Sequence, residues 1–295
     1  MSEASGMYDI GRGAAEGGGG GEPEPEFAGT AAEWARRQLG FEPDAAQTRV
    51  LNSTSKRVLL NCTRQWGKST VTAAKAVHEA WTNPGSLTLV VSPSARQSGE
   101  FLRKAEGFVR RLNVKPRGDG DNEISMLLPN GSRMVGLPGR EATVRGFSAV
   151  GLLLVDEASR VSDELYLSLR PMLAVSNGTL WLMSTPFGKS GFFWETWLAA
   201  SRRAQGPRAG GALRAGGKED AAPRAGSNSG WEIVRVPAEE CPRIPKAFLE
   251  EERRTMGDLW FRQEYGCEFV DAVSGVFDSE AVERAVTDEV APLEI

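Results

Sequence analysis

Apolar positions along the chain fall into short runs that alternate with segments of helical period. Runs of β type cover 57–61, 87–91, 151–155, 179–183 and 231–236. The run at 151–155 carries no polar interruption, as a strand buried on both faces requires. Between the runs, the spacing predicts helices over 69–81, 95–112 and 162–174, and an earlier one from an N-cap at Thr30 through Leu39, closed by Gly40. Such alternation predicts an α/β domain with a mostly parallel sheet flanked by helices on both faces. One interruption reads as a hairpin, 123–128 and 132–137 about Pro129-Asn130-Gly131. No internal repeat is visible.

Composition divides the chain. Residues 1–29 run through Gly17-Gly18-Gly19-Gly20-Gly21 and Glu22-Pro23-Glu24-Pro25-Glu26, too little apolar surface to offset ordering entropy, so a disordered tail is expected. One domain is expected over 30–278, with 279–295 as a C-terminal remnant. Within it, 201–230 is a low-complexity island containing Arg202, Arg203, Arg208, Arg214 and Arg224. It reads as a flexible surface insertion, or alternatively as a basic loop touching DNA phosphates nonspecifically.

The 295 residues suffice for one large domain with a substantial core. Against 39 acidic residues stand 35 basic ones, a net charge of −4 that gives no global basic footprint for nucleic acid. No apolar run approaches the ~18 residues of a membrane span, and no basic-then-apolar signal opens the chain, so a cytosolic protein is expected. The three cysteines are scattered, which implies neither a disulfide framework nor a clustered metal site. His78 is the only histidine, so no mechanism can use a histidine base or a multi-histidine metal centre. It is expected to be a surface or helix-packing residue.

The chemistry concentrates after the 57–61 run, in Cys62-Thr63-Arg64-Gln65-Trp66-Gly67-Lys68-Ser69-Thr70. Strand, loop ending in Gly-Lys-Ser-Thr, then helix is the layout of a phosphate-binding P-loop. Backbone N–H groups and the positive helix end converge on phosphate oxygens. Lys68 adds a point charge at the β/γ-phosphates, and the Ser69 hydroxyl suits Mg²⁺. Cys62 stands where the first glycine is usual. Further on, Asp156-Glu157 follow the 151–155 run, at the strand end where open α/β sheets keep ligands. There Asp156 can hold Mg²⁺ and Glu157 can orient and deprotonate the attacking water. The plainer alternative is a pair of acids starting the next helix.

Three weaker constellations add to this. Gln47, in Phe41-Glu42-Pro43-Asp44-Ala45-Ala46-Gln47, offers a donor and an acceptor to an adenine edge. Ser184-Thr185-Pro186 end the 179–183 run, where small hydroxyls can sense a γ-phosphate or its water. Arg145, in Thr143-Val144-Arg145-Gly146-Phe147-Ser148, can reach a γ-phosphate across a subunit boundary as an arginine finger, with Arg140 competing for the role.

With these residues in order, the chain resembles the large terminase subunits of tailed bacteriophages over about 41–278. The loop from Cys62 to Thr70 is similar to that family's deviant Walker A, and Leu153-Leu154-Val155-Asp156-Glu157-Ala158 to its Walker B. Ser92–Ser98, Arg145–Ser148, Met183–Gly191 and Trp260–Phe269 continue the series. The resemblance implies a P-loop motor, a ring of copies on the portal protein, that hydrolyses ATP with Mg²⁺ to drive double-stranded DNA into a procapsid in the host cytoplasm, with a small terminase subunit as partner. It assigns Arg64 to the phosphate loop and the coupling of hydrolysis to motion to Ser184, Thr185 and Pro186. Full-length members also carry a nuclease domain, for which 279–295 are too few residues. A helicase-like translocase and a non-catalytic subunit with a degenerate P-loop are the rival readings.

Overall fold

The computed structural model describes residues 29–139, 146–204 and 230–271. The expected tail up to residue 28, all but the ends of the 201–230 island and the C-terminal remnant lie outside the described residues, as do Arg140 and Arg145. Helices α1 (Ala31–Leu39), α2 (Ala45–Asn52), α3 (Lys68–Thr82), α4 (Ala95–Arg111), α5 (Asp163–Leu169), α6 (Gly191–Ala204), α7 (Lys246–Met256) and α8 (Asp258–Glu264) surround a sheet. Its strands are β1 (Arg57–Cys62), β2 (Leu87–Ser92), β3 (Ser125–Leu127), β4 (Arg133–Pro138), β5 (Leu152–Asp156), β6 (Thr179–Ser184) and β7 (Glu232–Val236). They form one seven-stranded sheet in the order β3-β4-β2-β5-β6-β1-β7. All pairings are parallel except β3–β4, the predicted hairpin, where Met126 opposes Met134.

Side chains alternate across each strand, so one strand feeds two cores. Val58, Leu60, Val90, Leu154 and Trp181 pack under α1–α4. Leu59, Leu89, Val91, Leu153, Val155 and Leu182 face α5 and α6, which contribute Leu165, Leu169, Phe192 and Phe193. A smaller cluster of Ala238, Leu249, Phe261 and Tyr265 seats α7 and α8. His78 packs edge-on against Trp34, ring centroids 5.1 Å apart, and burial depresses its basicity, which makes it a helix-packing residue. No helix among the described residues is long and apolar enough to cross a membrane.

Local signals fix the boundaries. Thr30 and Glu33 form the capping box that opens α1, and Gly40 closes it in the left-handed region. The helix predicted over 162–174 is shorter. Regular α5 stops at Leu169 and Arg170–Leu173 continues as a 3₁₀ turn, because Pro171 lacks an N–H and crowds the preceding turn. Residues 201–204, expected within the insertion, form the last turn of α6. The chain enters β6 through Gly178, where a Cβ would lie 2.1 Å from the Val150 carbonyl oxygen and 2.8 Å from Leu173 Cδ2. Gly178→Ala is therefore expected to destabilise the fold by about 1–3 kcal/mol through overpacking, read as a lower denaturation midpoint. An unchanged midpoint would show that this approach relaxes freely.

Candidate active site

Parallel register gathers the motifs at one edge. β6 lies between β1 and β5, with Asn61 beside Ser184 and Asp156 beside Met183. The loop after β1, the acidic pair ending β5 and the Ser184-Thr185 turn after β6 thus emerge side by side at the carboxyl ends of the strands, where α/β sheets bind ligands.

The loop is held from outside. Gly67, at φ +93°, is the N-cap of α3, and Gln65 is also left-handed. The Trp66 ring is buried, and its carbonyl accepts from Gln47 Nε2 at 3.0 Å and from the Arg243 guanidinium, which also pairs with Asp44 at 2.9 Å. Thr63 N donates to Val236 O at 2.9 Å, and its hydroxyl to Glu264 O at 3.2 Å. Arg64 Nε pairs with Glu264 Oε2 at 2.6 Å. Cys62 explains the missing glycine. It is the last residue of β1 and fully buried in the core; burial pushes its thiol well up, so its side chain is part of the packing. Lys68 is buried and its ammonium donates to the carbonyls of Cys62 at 2.8 Å and Thr63 at 3.1 Å, bent across the loop it serves. Thr70 sits half-buried in the first turn of α3.

Gln47, expected against adenine, is buried with its amide otherwise engaged. Oε1 accepts from Asp44 N at 3.1 Å in the capping box of α2 while Nε2 supports Trp66. In this geometry it braces the loop.

The acidic pair divides its work. Asp156 is almost fully buried; it accepts from Ser69 Oγ at 3.2 Å and from Glu157 N at 3.0 Å. Burial, and then the neighbouring Glu157 charge, raise its carboxyl to about 6. Glu157 is half-buried and its backbone is left-handed at φ +50°, an unusual conformation for a residue with a side chain and a mark of functional sites. Its Oε2 lies 3.4 Å from Ser184 Oγ. Ser184, Thr185 and Pro186 are all buried.

Among the described residues no group of three or more His, Cys, Asp or Glu could hold a metal ion. The Ser69 hydroxyl and the strained Asp156 carboxylate still fit Mg²⁺, which is commonly bound by one or two protein oxygens completed by phosphate oxygens and water. Sequence reasoning missed the bracing residues. Glu264 also lies 3.8 Å from Arg160, which stacks 4.2 Å over the Phe187 ring. Glu264 and Arg243 carry no motif and act only through partners distant in sequence. For Glu264 the one available signal was its place in the closing segment.

The chain as a whole is similar to known proteins. A terminase large subunit of Thermus virus P23-45 is 29% identical over 261 residues, covering 81% of this chain and 51% of that protein. The chain thus spans about half the length of the curated relatives it matches. Among solved structures, the large terminase ATPase domain of Thermus phage P74-26 aligns over 82% of this chain and 99% of its own, at 24% identity and TM-score 0.65. The large terminase of another thermophilic bacteriophage, in complex with ADP, aligns over 77% of this chain and 54% of its own, at 11% identity and TM-score 0.59. The model of the terminase large subunit, T4likevirus-type, N-terminal family matches residues 59–284, and the chain belongs to that family.

Proposed function

We propose that this domain hydrolyses ATP with Mg²⁺ and is the motor part of a terminase large subunit, moving double-stranded DNA into a procapsid in the host cytoplasm. The observation that carries the reading is the meeting of Lys68 and Ser69 with Asp156 and Glu157 at one sheet edge, joined by the Ser69–Asp156 hydrogen bond of 3.2 Å. The first amides of α3 and the Lys68 ammonium bind the phosphates. Ser69 and Asp156 would hold Mg²⁺, which when bound neutralises charge on the phosphate oxygens. Glu157 orients the attacking water and takes its proton. Cys62 and Thr63 offer loop backbone; Arg64, Gln65 and Trp66 shape the loop; and Gln47 serves the nucleotide through the loop that it braces.

Ser184, Thr185 and Pro186 take the coupling role that the family resemblance implies, and their place between the phosphate loop and the acidic pair is in keeping with it. Arg145 remains the candidate trans arginine, with Arg140 its competitor, in a ring of copies docked on a portal protein with a small terminase subunit as further partner. A nuclease is not part of this proposal.

Glu157→Gln is expected to lower kcat for ATP by about 10²–10⁴, the usual share of a general base, with nucleotide binding retained. Equal turnover by variant and wild type would sink the catalytic assignment and favour a non-catalytic subunit. Mixing Arg145→Ala with Glu157→Gln chains should restore part of the activity if the arginine acts in trans. Mixtures no more active than either variant alone would reject Arg145.

Asp156 also makes stability depend on pH in the metal-free protein. Its carboxyl sits at about 6 when folded, above the ~3.9 of an unfolded chain. The stability it contributes is complete below the unfolded value and lost as pH rises through about 6, so above that the ionised group opposes folding by on the order of 3 kcal/mol. Asp156→Asn is therefore expected to melt higher than wild type at pH 8 in EDTA, with the gap closing towards pH 4. A gap that is the same at both ends would refute this origin.

A further inference from the structure

Beyond the motif residues, a serine on the turn after β5 stands where it can control the catalytic carboxylate. Ser159 lies in the 3₁₀ turn Ala158–Arg160 that follows the acidic pair. Its Oγ is 2.7 Å from Ser184 Oγ and within donating reach of the Thr185 carbonyl at 2.9 Å. Ser184 Oγ in turn lies 3.4 Å from Glu157 Oε2. Ser159 therefore ties the turn after β5 to the turn after β6 at two points.

Counting protons makes the arrangement specific. A serine hydroxyl has one proton and two acceptor lone pairs. The Ser159 proton can go to the Thr185 carbonyl or to Ser184 Oγ, and only the second choice makes the Ser159–Ser184 contact without using the Ser184 proton. Ser184 is fully buried, so its own proton must find a protein partner, and the two at hand are Ser159 Oγ and Glu157 Oε2. When Ser159 donates to Ser184, the Ser184 proton is left for Glu157 Oε2, so Ser159 decides whether that carboxylate receives the hydrogen bond. Glu157 itself hangs from a left-handed backbone position, a conformation that persists only where the surrounding structure holds it.

We propose that Ser159 is a positioning residue for hydrolysis, holding Ser184 against Glu157 and linking the acidic pair to the Ser184-Thr185 turn. This rests on the ATPase reading above. It predicts an effect on the transferring state and none on ground-state binding, because Ser159 does not touch the phosphate loop's own braces.

The test uses the full chain with Mg²⁺ and a fluorescent ADP, with and without aluminium fluoride as mimic of the transferring phosphoryl group. Ser159→Ala should bind ADP within about twofold of wild type yet lose about tenfold in affinity for the fluoride complex, the size of one hydrogen bond. Ser159→Thr, which keeps the hydroxyl, should recover most of it. Equal loss for both ligands would make Ser159 merely structural, and no loss for the fluoride complex would overturn the proposal outright. A wild type that binds neither ligand would instead overturn the ATPase reading itself, and this inference with it.

Discussion

The insertion of β6 between β1 and β5 is the constraint on which the rest of the site depends. Parallel pairing leaves no freedom in which ends meet, since a register slip by one residue would turn every side chain to the other face. Once Asn61 aligns with Ser184 and Asp156 with Met183, the phosphate loop, the hydroxyl turn and the acidic pair must emerge together. The two cores then lock the strands, because Trp181 and Met183 point to one layer while Leu180 and Leu182 point to the other. The site's precision is thus borrowed from the packing of residues that take no part in chemistry.

Within that frame the acidic pair is deliberately uncomfortable. A carboxylate removed from water beside a second carboxylate is unfavourable, which is why Asp156 holds its proton up to about 6. Discomfort of this kind is relieved by a cation, which the Ser69 hydroxyl, hydrogen-bonded to the same carboxylate, would help to hold. Lys68, by contrast, is already satisfied by loop carbonyls. One charge waits for a partner while the other is held in reserve.

Much of this was legible in the chain, and for local reasons. The capping box at Thr30, the closing Gly40 and the uninterrupted 151–155 run announce themselves within a few residues, and so does the Gly-Lys-Ser-Thr helix start. The order of the strands was not legible, because it is decided by which faces bury each other. The same holds for the bond from the Gln47 amide to the Trp66 carbonyl, which needs α2 to be set beside the loop. Arg243 and Glu264 lie about two hundred residues beyond the partners they hold, and Ser159 reads as an ordinary turn residue. The boundary of α5 was misjudged because helical period outran Pro171.

The braces on the phosphate loop bear on how the motif can vary. A glycine-rich loop carries its flexibility in its own sequence, whereas this one tolerates Cys62, Arg64, Gln65 and Trp66 because Asp44, Gln47, Arg243 and Glu264 define its path from elsewhere. The functional unit of inheritance is then larger than the nine-residue signature. Transplanting the signature alone into another P-loop scaffold would carry the letters without the grip, and drift at any one brace would be felt as a change in the loop itself.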